Sequence, residues 1–154
     1  MTNGMTAVAV AIVAVAASWP IDSKAEREHF NVDNTTYRSE CGSCHIAYPP
    51  QLLPADAWQR LMSQLDKHFG SDASIDTKTA REIETYLEAN AARRVAGGKP
   101  TLRISETRWF LREHNEVPAR VWKSPAVKSA SNCAACHTKA EQGDFSERTL
   151  RVPK

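Results

Sequence analysis

Apolar positions follow different patterns along this 154-residue chain. From Thr6 to Ala17 it reads TAVAVAIVAVAA, with no charged side chain anywhere in residues 1–19. A run of about a dozen apolar residues suits a signal-peptide core and is short for a bilayer span, which takes about 20. Residues 1–19 are therefore read as an export signal. Small residues at Ala14 and Ala16, or Val15 and Ala17, offer cleavage sites, and an uncleaved anchor or a buried Ala/Val helix is the alternative. The leader lacks Lys and Arg, which departs from the usual n-region. Further on the period becomes helical. Trp58, Leu61, Met62, Leu65 and Phe69 fall at i, i+3, i+4, i+7 and i+11 and predict a helix over 54–69, opened by Pro54 and closed at Gly70. Ala80, Ile83, Tyr86 and Leu87 predict another, from Asp76 or Thr77 to Ala92, ended by Gly97-Gly98 and Pro100. Shorter helices are expected at 39–47, stopped by Pro49-Pro50; at 105–114, capped by Ser105 with Trp109 and Phe110 inside; and at 131–142, ended by Gly143. The stretch through Pro118 and Pro125 reads as irregular, and no strand-like alternation appears. The fold class is mostly α.

Composition sharpens this. Outside residues 1–19 only 50 of 135 residues are apolar, and 16 of those are Ala and 4 are Cys, which leaves 30 large apolar side chains. A chain of this size buries about two thirds of its unfolded surface, and these residues are too few to do so alone. Trp58, Trp109, Trp122, Phe69 and Phe110 argue against disorder. The composition therefore implies a non-protein filler. Charge is unevenly placed: residues 1–90 carry 7 basic and 12 acidic side chains, and residues 91–154 carry 13 and 6. The C-terminal half, with Arg108, Arg112, Arg120, Lys123, Lys128 and Lys139, suits an acidic partner or an anionic surface unless the two halves neutralise each other. The overall formal charge of +2 argues against nucleic-acid binding.

All four cysteines lie in C-x-x-C pairs, each followed at once by histidine: Cys41-Gly42-Ser43-Cys44-His45 and Cys133-Ala134-Ala135-Cys136-His137. This is the c-type haem attachment motif, present twice with no cysteine left over. Two thiols three residues apart add across the vinyl groups on one edge of a porphyrin, and the next residue lies under the iron, so His45 and His137 are the proximal ligands. A zinc ribbon spaces its two knuckles by about 15–20 residues, whereas 88 separate Cys44 from Cys133. A redox-active pair needs a βαβ setting that is missing here. Two covalently bound haem c groups supply the missing core.

Six-coordinate irons need two more ligands, and His29, His68 and His114 remain. His68 ends the 54–69 helix beside its apolar stripe, and His114 ends the 105–114 helix one turn after Trp109 and Phe110. These two are assigned as distal ligands. Met62 reads as a core residue, and His29, in a charged stretch, as solvated. Sequence proximity pairs His68 with the haem at Cys41 and Cys44, and His114 with the haem at Cys133 and Cys136. Crossed ligation is the alternative. The division expected is a signal over 1–19, an N-terminal haem lobe over 20–98 and a C-terminal haem lobe over 99–154.

The motifs extend beyond haem attachment. His45 is followed by Ala47-Tyr48-Pro49-Pro50 and Leu53-Pro54, then Trp58, Leu61-Met62, His68-Phe69-Gly70, Tyr86-Leu87 with Asn90-Ala91, Arg103-Ile104, Trp109-Phe110, Arg112-Glu113-His114, and Asn132 to His137 with Gly143-Asp144-Phe145. On these residues, which cover most of 38–154, the chain resembles the dihaem cytochromes c, periplasmic partners of the sphaeroides haem protein. The resemblance implies a periplasmic electron carrier with two bis-histidine haems, an N-terminal lobe similar to class I cytochrome c and a less regular C-terminal lobe. It also implies redox partner proteins, namely a small oxygen-binding cytochrome c and a membrane cytochrome b; peripheral membrane association is a separate expectation. Bis-histidine ligation leaves no open position on iron and lowers the potential relative to methionine ligation, so a low-potential carrier is expected. The rival is a small dihaem peroxidase or reductase with one dissociable axial ligand.

Overall fold

The structure is a computed structural model that describes residues 29–93 and 101–153. The expected signal over 1–19 lies outside the described residues. Among those described there are five α-helices, several single 3-10 turns and no β-strand beyond isolated bridges, so the chain is mostly α as expected. No helix among them is long and apolar enough to cross a membrane.

Helix α1 spans Thr35–Cys41, earlier than the 39–47 expected. The Asn34 side chain accepts the Tyr37 N–H at its start, and Gly42 ends it. A Cβ at Gly42 would stand 2.2 Å from the Arg38 carbonyl oxygen. The first Cys-x-x-Cys-His segment therefore begins on the last helical residue and continues as a turn. Helix α2 covers Ala55–Met62 and stops well short of residue 69. Ser63 turns its hydroxyl back onto the Arg60 carbonyl, a local alternative to the helical ladder that periodicity does not reveal. A 3-10 turn at Leu65–Lys67 follows and hands the chain to His68. Helix α3, Thr77–Ala89, is capped by the Asp76 carboxylate, which accepts from the Lys78 and Thr79 amides.

The next expected helix is divided: a 3-10 turn at Ile104–Glu106 precedes α4, Arg108–Glu113, and the cap is Thr107 rather than Ser105. The stretch between Pro118 and Pro125 is not wholly irregular, since Pro118 opens α5 at Ala119–Trp122. Residues 131–142 form two 3-10 turns, Cys133–Ala135 and Ala140–Gln142, instead of one helix.

Tyr37, Leu53, Ala57, Trp58, Ile83 and Leu87 make one buried cluster where α1 and α2 meet α3. Its polar edges are satisfied, with Trp58 Nε1 donating to the Pro50 carbonyl at 2.8 Å and the Tyr37 hydroxyl to the Tyr48 carbonyl at 2.7 Å. The C-terminal part is thinner and buries Phe110, Val127, Ala140 and Phe145. The segment at Phe30 crosses to it: the Phe30 amide donates to the Gly143 carbonyl at 2.8 Å, and the Phe30 and Phe145 rings meet edge to face at 5.6 Å. Gly143 has φ +76, and a Cβ there would sit 1.9 Å from the Phe30 carbonyl oxygen, so only glycine permits this crossing.

Candidate functional site

The N-terminal site is built around His45. The turn after α1 brings its ring against Tyr48, with centroids 4.6 Å apart and planes 23° apart. Its Nδ1 lies 2.7 Å from the Ile46 carbonyl, a bond that makes Nδ1 the protonated nitrogen and leaves Nε2 as the free donor atom. His68 faces it. The 3-10 turn at Leu65–Lys67 and the left-handed pair Phe69 (φ 50) and Gly70 (φ 98) set its direction. The His45 and His68 ring centroids are 6.2 Å apart and the planes differ by 27°.

The C-terminal site repeats the plan with other supports. His114 follows α4, stacks on Phe110 at 4.0 Å and 14°, and holds the Phe110 carbonyl at 2.9 Å from Nδ1. His137 follows the 3-10 turn at Cys133–Ala135, with its amide on the Cys133 carbonyl, and packs against Phe145 at 5.2 Å. The two ring centroids are 6.0 Å apart with planes at 75°. Trp109, Phe110, Trp122, Phe145 and Leu150 line the cavity beside them together with Cys133 and Cys136.

A transition metal holds an imidazole nitrogen at about 2 Å, and the ring centroid lies about 1 Å further back. Two imidazoles on opposite sides of one metal atom thus stand about 6 Å apart, the separation of both pairs. Nδ1 of His68 and Nδ1 of His137 are buried with no hydrogen-bond partner among the described residues. Burial, followed by the facing histidine, pushes both imidazoles below the ordinary 6.5; at His137 the Phe145 backbone and the Asp144 carboxylate pull the other way. The neutral imidazole this favours is the form that binds a metal.

No disulfide joins the cysteines. Burial pushes the Cys41 and Cys133 thiols up to about 11 and raises Cys136. Redox-active C-x-x-C pairs lower a thiol instead, and burial acts the other way on these three. Residues 42–46 and Tyr48 line one cavity of about 490 Å³ with Ser131 to Ala134 and Glu141, so the two attachment segments face a common space. The Tyr48 hydroxyl spans it, donating to the Ser131 carbonyl at 2.6 Å. The sequence shows Tyr48 only as part of the Ala47-Tyr48-Pro49-Pro50 motif after His45, with no role of its own. Met62 packs against the core cluster as expected. His29 is exposed, with its backbone bridged to Asp144.

A largely helical frame that twice sets a Cys-x-x-Cys-His segment opposite a further histidine defines a multihaem c-type cytochrome. Residues 37–145 match the family described as dihaem cytochrome c. The chain belongs to that family and carries two covalently bound haem c groups. The solved diheme cytochrome c from Rhodobacter sphaeroides is 46% identical, with a TM-score of 0.70 over 75% of this chain and 99% of that one. A second structure, DHC purified from Rhodobacter sphaeroides, is 51% identical with a TM-score of 0.66, over 74% and 98%. The diheme cytochrome from Shewanella baltica OS155 is 42% identical with a TM-score of 0.70, over 80% and 95%. No curated protein matches.

Proposed function

We propose that this dihaem cytochrome is an exported, periplasmic, low-potential electron carrier. Cys41 and Cys44 attach the N-terminal haem, ligated by His45 and His68; Cys133 and Cys136 attach the C-terminal haem, ligated by His137 and His114. The observation that carries this reading is the spacing of the two histidine pairs, 6.2 and 6.0 Å between centroids. It also favours pairing by sequence proximity over crossed ligation.

The haems supply the one-electron chemistry. The protein holds four imidazoles, two of them by Nδ1 bonds to the Ile46 and Phe110 carbonyls, and would offer two to each haem. Two imidazoles on each haem would leave no position for peroxide, oxygen or nitrite, which favours outer-sphere transfer, and histidine in place of methionine would keep the potentials low. The basic C-terminal half suits an acidic redox partner, with a small oxygen-binding cytochrome c and a membrane cytochrome b as the proposed pair. Electrostatic steering of that kind gives rates that fall with added salt.

A His68→Ala variant tests the assignment. It is expected to convert the N-terminal haem to a high-spin form that binds carbon monoxide when reduced, while the wild type binds none at neutral pH. An unchanged low-spin spectrum in the variant would refute the pairing, and carbon monoxide binding by the wild type would favour the peroxidase or reductase reading. Both haems titrating at the high potentials of methionine-ligated cytochromes would refute the low-potential assignment.

A further inference from the structure

The two histidine pairs are alike in spacing and unlike in angle. His45 and His68 lie within 27° of parallel, whereas His114 and His137 are crossed at 75°. The bond from an imidazole nitrogen to a metal lies in the ring plane, so this angle is also the angle between the π orbitals that two such ligands direct at one metal atom. Parallel rings act on the same iron d orbital, raise it above its partner and stabilise the ferric ion, whose single hole occupies it. Crossed rings act on both orbitals nearly equally and give less of this stabilisation. The axial ligands are among the means by which a protein sets a haem potential.

One ring of each pair is held in place. The His45 ring stacks on Tyr48, whose hydroxyl is tied to the Ser131 carbonyl at 2.6 Å, and its Nδ1 is held at the Ile46 carbonyl. The His114 ring stacks on Phe110 at 14° and is bonded to the carbonyl of the same residue. Tyr48 and Phe110 are thus positioning residues, one for each site.

Charge acts in the same direction. The half of the chain bearing the C-terminal haem has 13 basic and 6 acidic side chains, against 7 and 12 in the other half. Positive charge favours the reduced form, because reduction removes one positive charge from the iron. Glu113 and Glu147 line the C-terminal cavity and oppose this, but Glu113 is paired with Arg112 at 2.7 Å.

We infer that the two haems are inequivalent by construction: the crossed imidazoles make the C-terminal haem the one reduced first, and the near-parallel pair makes the N-terminal haem the stronger reductant. With both haems bound, one electron would move from the N-terminal to the C-terminal haem, the first oxidised as the second is reduced, with no bond made or broken and no proton moved. The C-terminal haem is then the place where a single electron would rest.

The inference rests on the bis-histidine reading, and one set of measurements separates the two. An EPR-monitored redox titration of the holoprotein is expected to show two low-spin ferric signals, a rhombic one from the N-terminal haem and a single low-field feature from the C-terminal haem, with the low-field feature lost first on reduction. His68→Met should abolish the rhombic signal. If that variant fails to incorporate haem, Tyr48→Phe, which keeps the ring and removes only the bond to Ser131, should shift it. A rhombic signal untouched by both variants, two signals of one kind, or loss of the rhombic signal first would overturn the inference. Near-infrared bands reporting any ligation other than two bis-histidine haems would overturn the ligation and the inference together.

Discussion

Gly143→Ala tests how the chain closes around the C-terminal haem site. Residue 143 sits at φ +76, and the left-handed region costs an ordinary residue about 1–2 kcal/mol. The new Cβ would fall 1.9 Å from the Phe30 carbonyl oxygen, which is backbone and cannot rotate aside, so the Phe30 segment must retreat. Its amide then loses the 2.8 Å bond to the Gly143 carbonyl, worth about 1 kcal/mol. The edge-to-face contact of Phe30 with Phe145 weakens as well, worth about 0.5–1.5 kcal/mol. Together the loss is about 2.5–4.5 kcal/mol, which lowers the melting temperature by about 5–18 °C in a chain of this size. Phe145 also packs on His137, so the visible spectrum of the C-terminal haem should change before the N-terminal one as the variant is heated. Gly70→Ala is the control. It has φ +98 and nothing within 4 Å of its Cβ position, so it carries the backbone cost, about 1–2 kcal/mol, without a clash. Equal melting temperatures for the two variants would refute the claim that the Phe30 segment closes the C-terminal site.

Two further predictions concern the ligands and the core. His68 and His137 have folded pKa values below the ordinary 6.5, so their contribution is complete above that value and is lost as pH falls through the folded value; in an acid titration low-spin absorbance should hold through neutral pH and decay only below about 6.5, and high-spin haem at pH 7 would contradict this. A chain with all four cysteines replaced, which holds no covalent haem, should lack a cooperative thermal transition by circular dichroism, and a sharp melt would show that the apolar side chains suffice.

The sequence by itself determined the chemistry. Attachment of haem needs two thiols and an imidazole at fixed spacing along a local stretch of chain, so Cys41 to His45 and Cys133 to His137 declared it without reference to the fold. The shortage of large apolar side chains is explained by the same two groups, and the thin C-terminal core of Phe110, Val127, Ala140 and Phe145 agrees. Periodicity located α2 and α3, because a half-buried helix must repeat its apolar face. It missed where α2 stops, since Ser63 competes for a backbone carbonyl through a local bond that leaves the apolar spacing intact. It also joined residues 131–142 into one helix where two 3-10 turns stand.

Only the tertiary structure brought His68 to 6.2 Å from His45 and His114 to 6.0 Å from His137, over separations of 23 residues in each case. It alone fixed one pair near parallel and the other crossed, laid the Phe30 segment over Gly143, and tied Tyr48 to the Ser131 carbonyl across 83 residues. A motif fixes which atoms bond to a haem, because that chemistry is local. The angle at which two distant imidazoles meet is set by the backbone turns and ring contacts that deliver each one, and these form only when the chain folds.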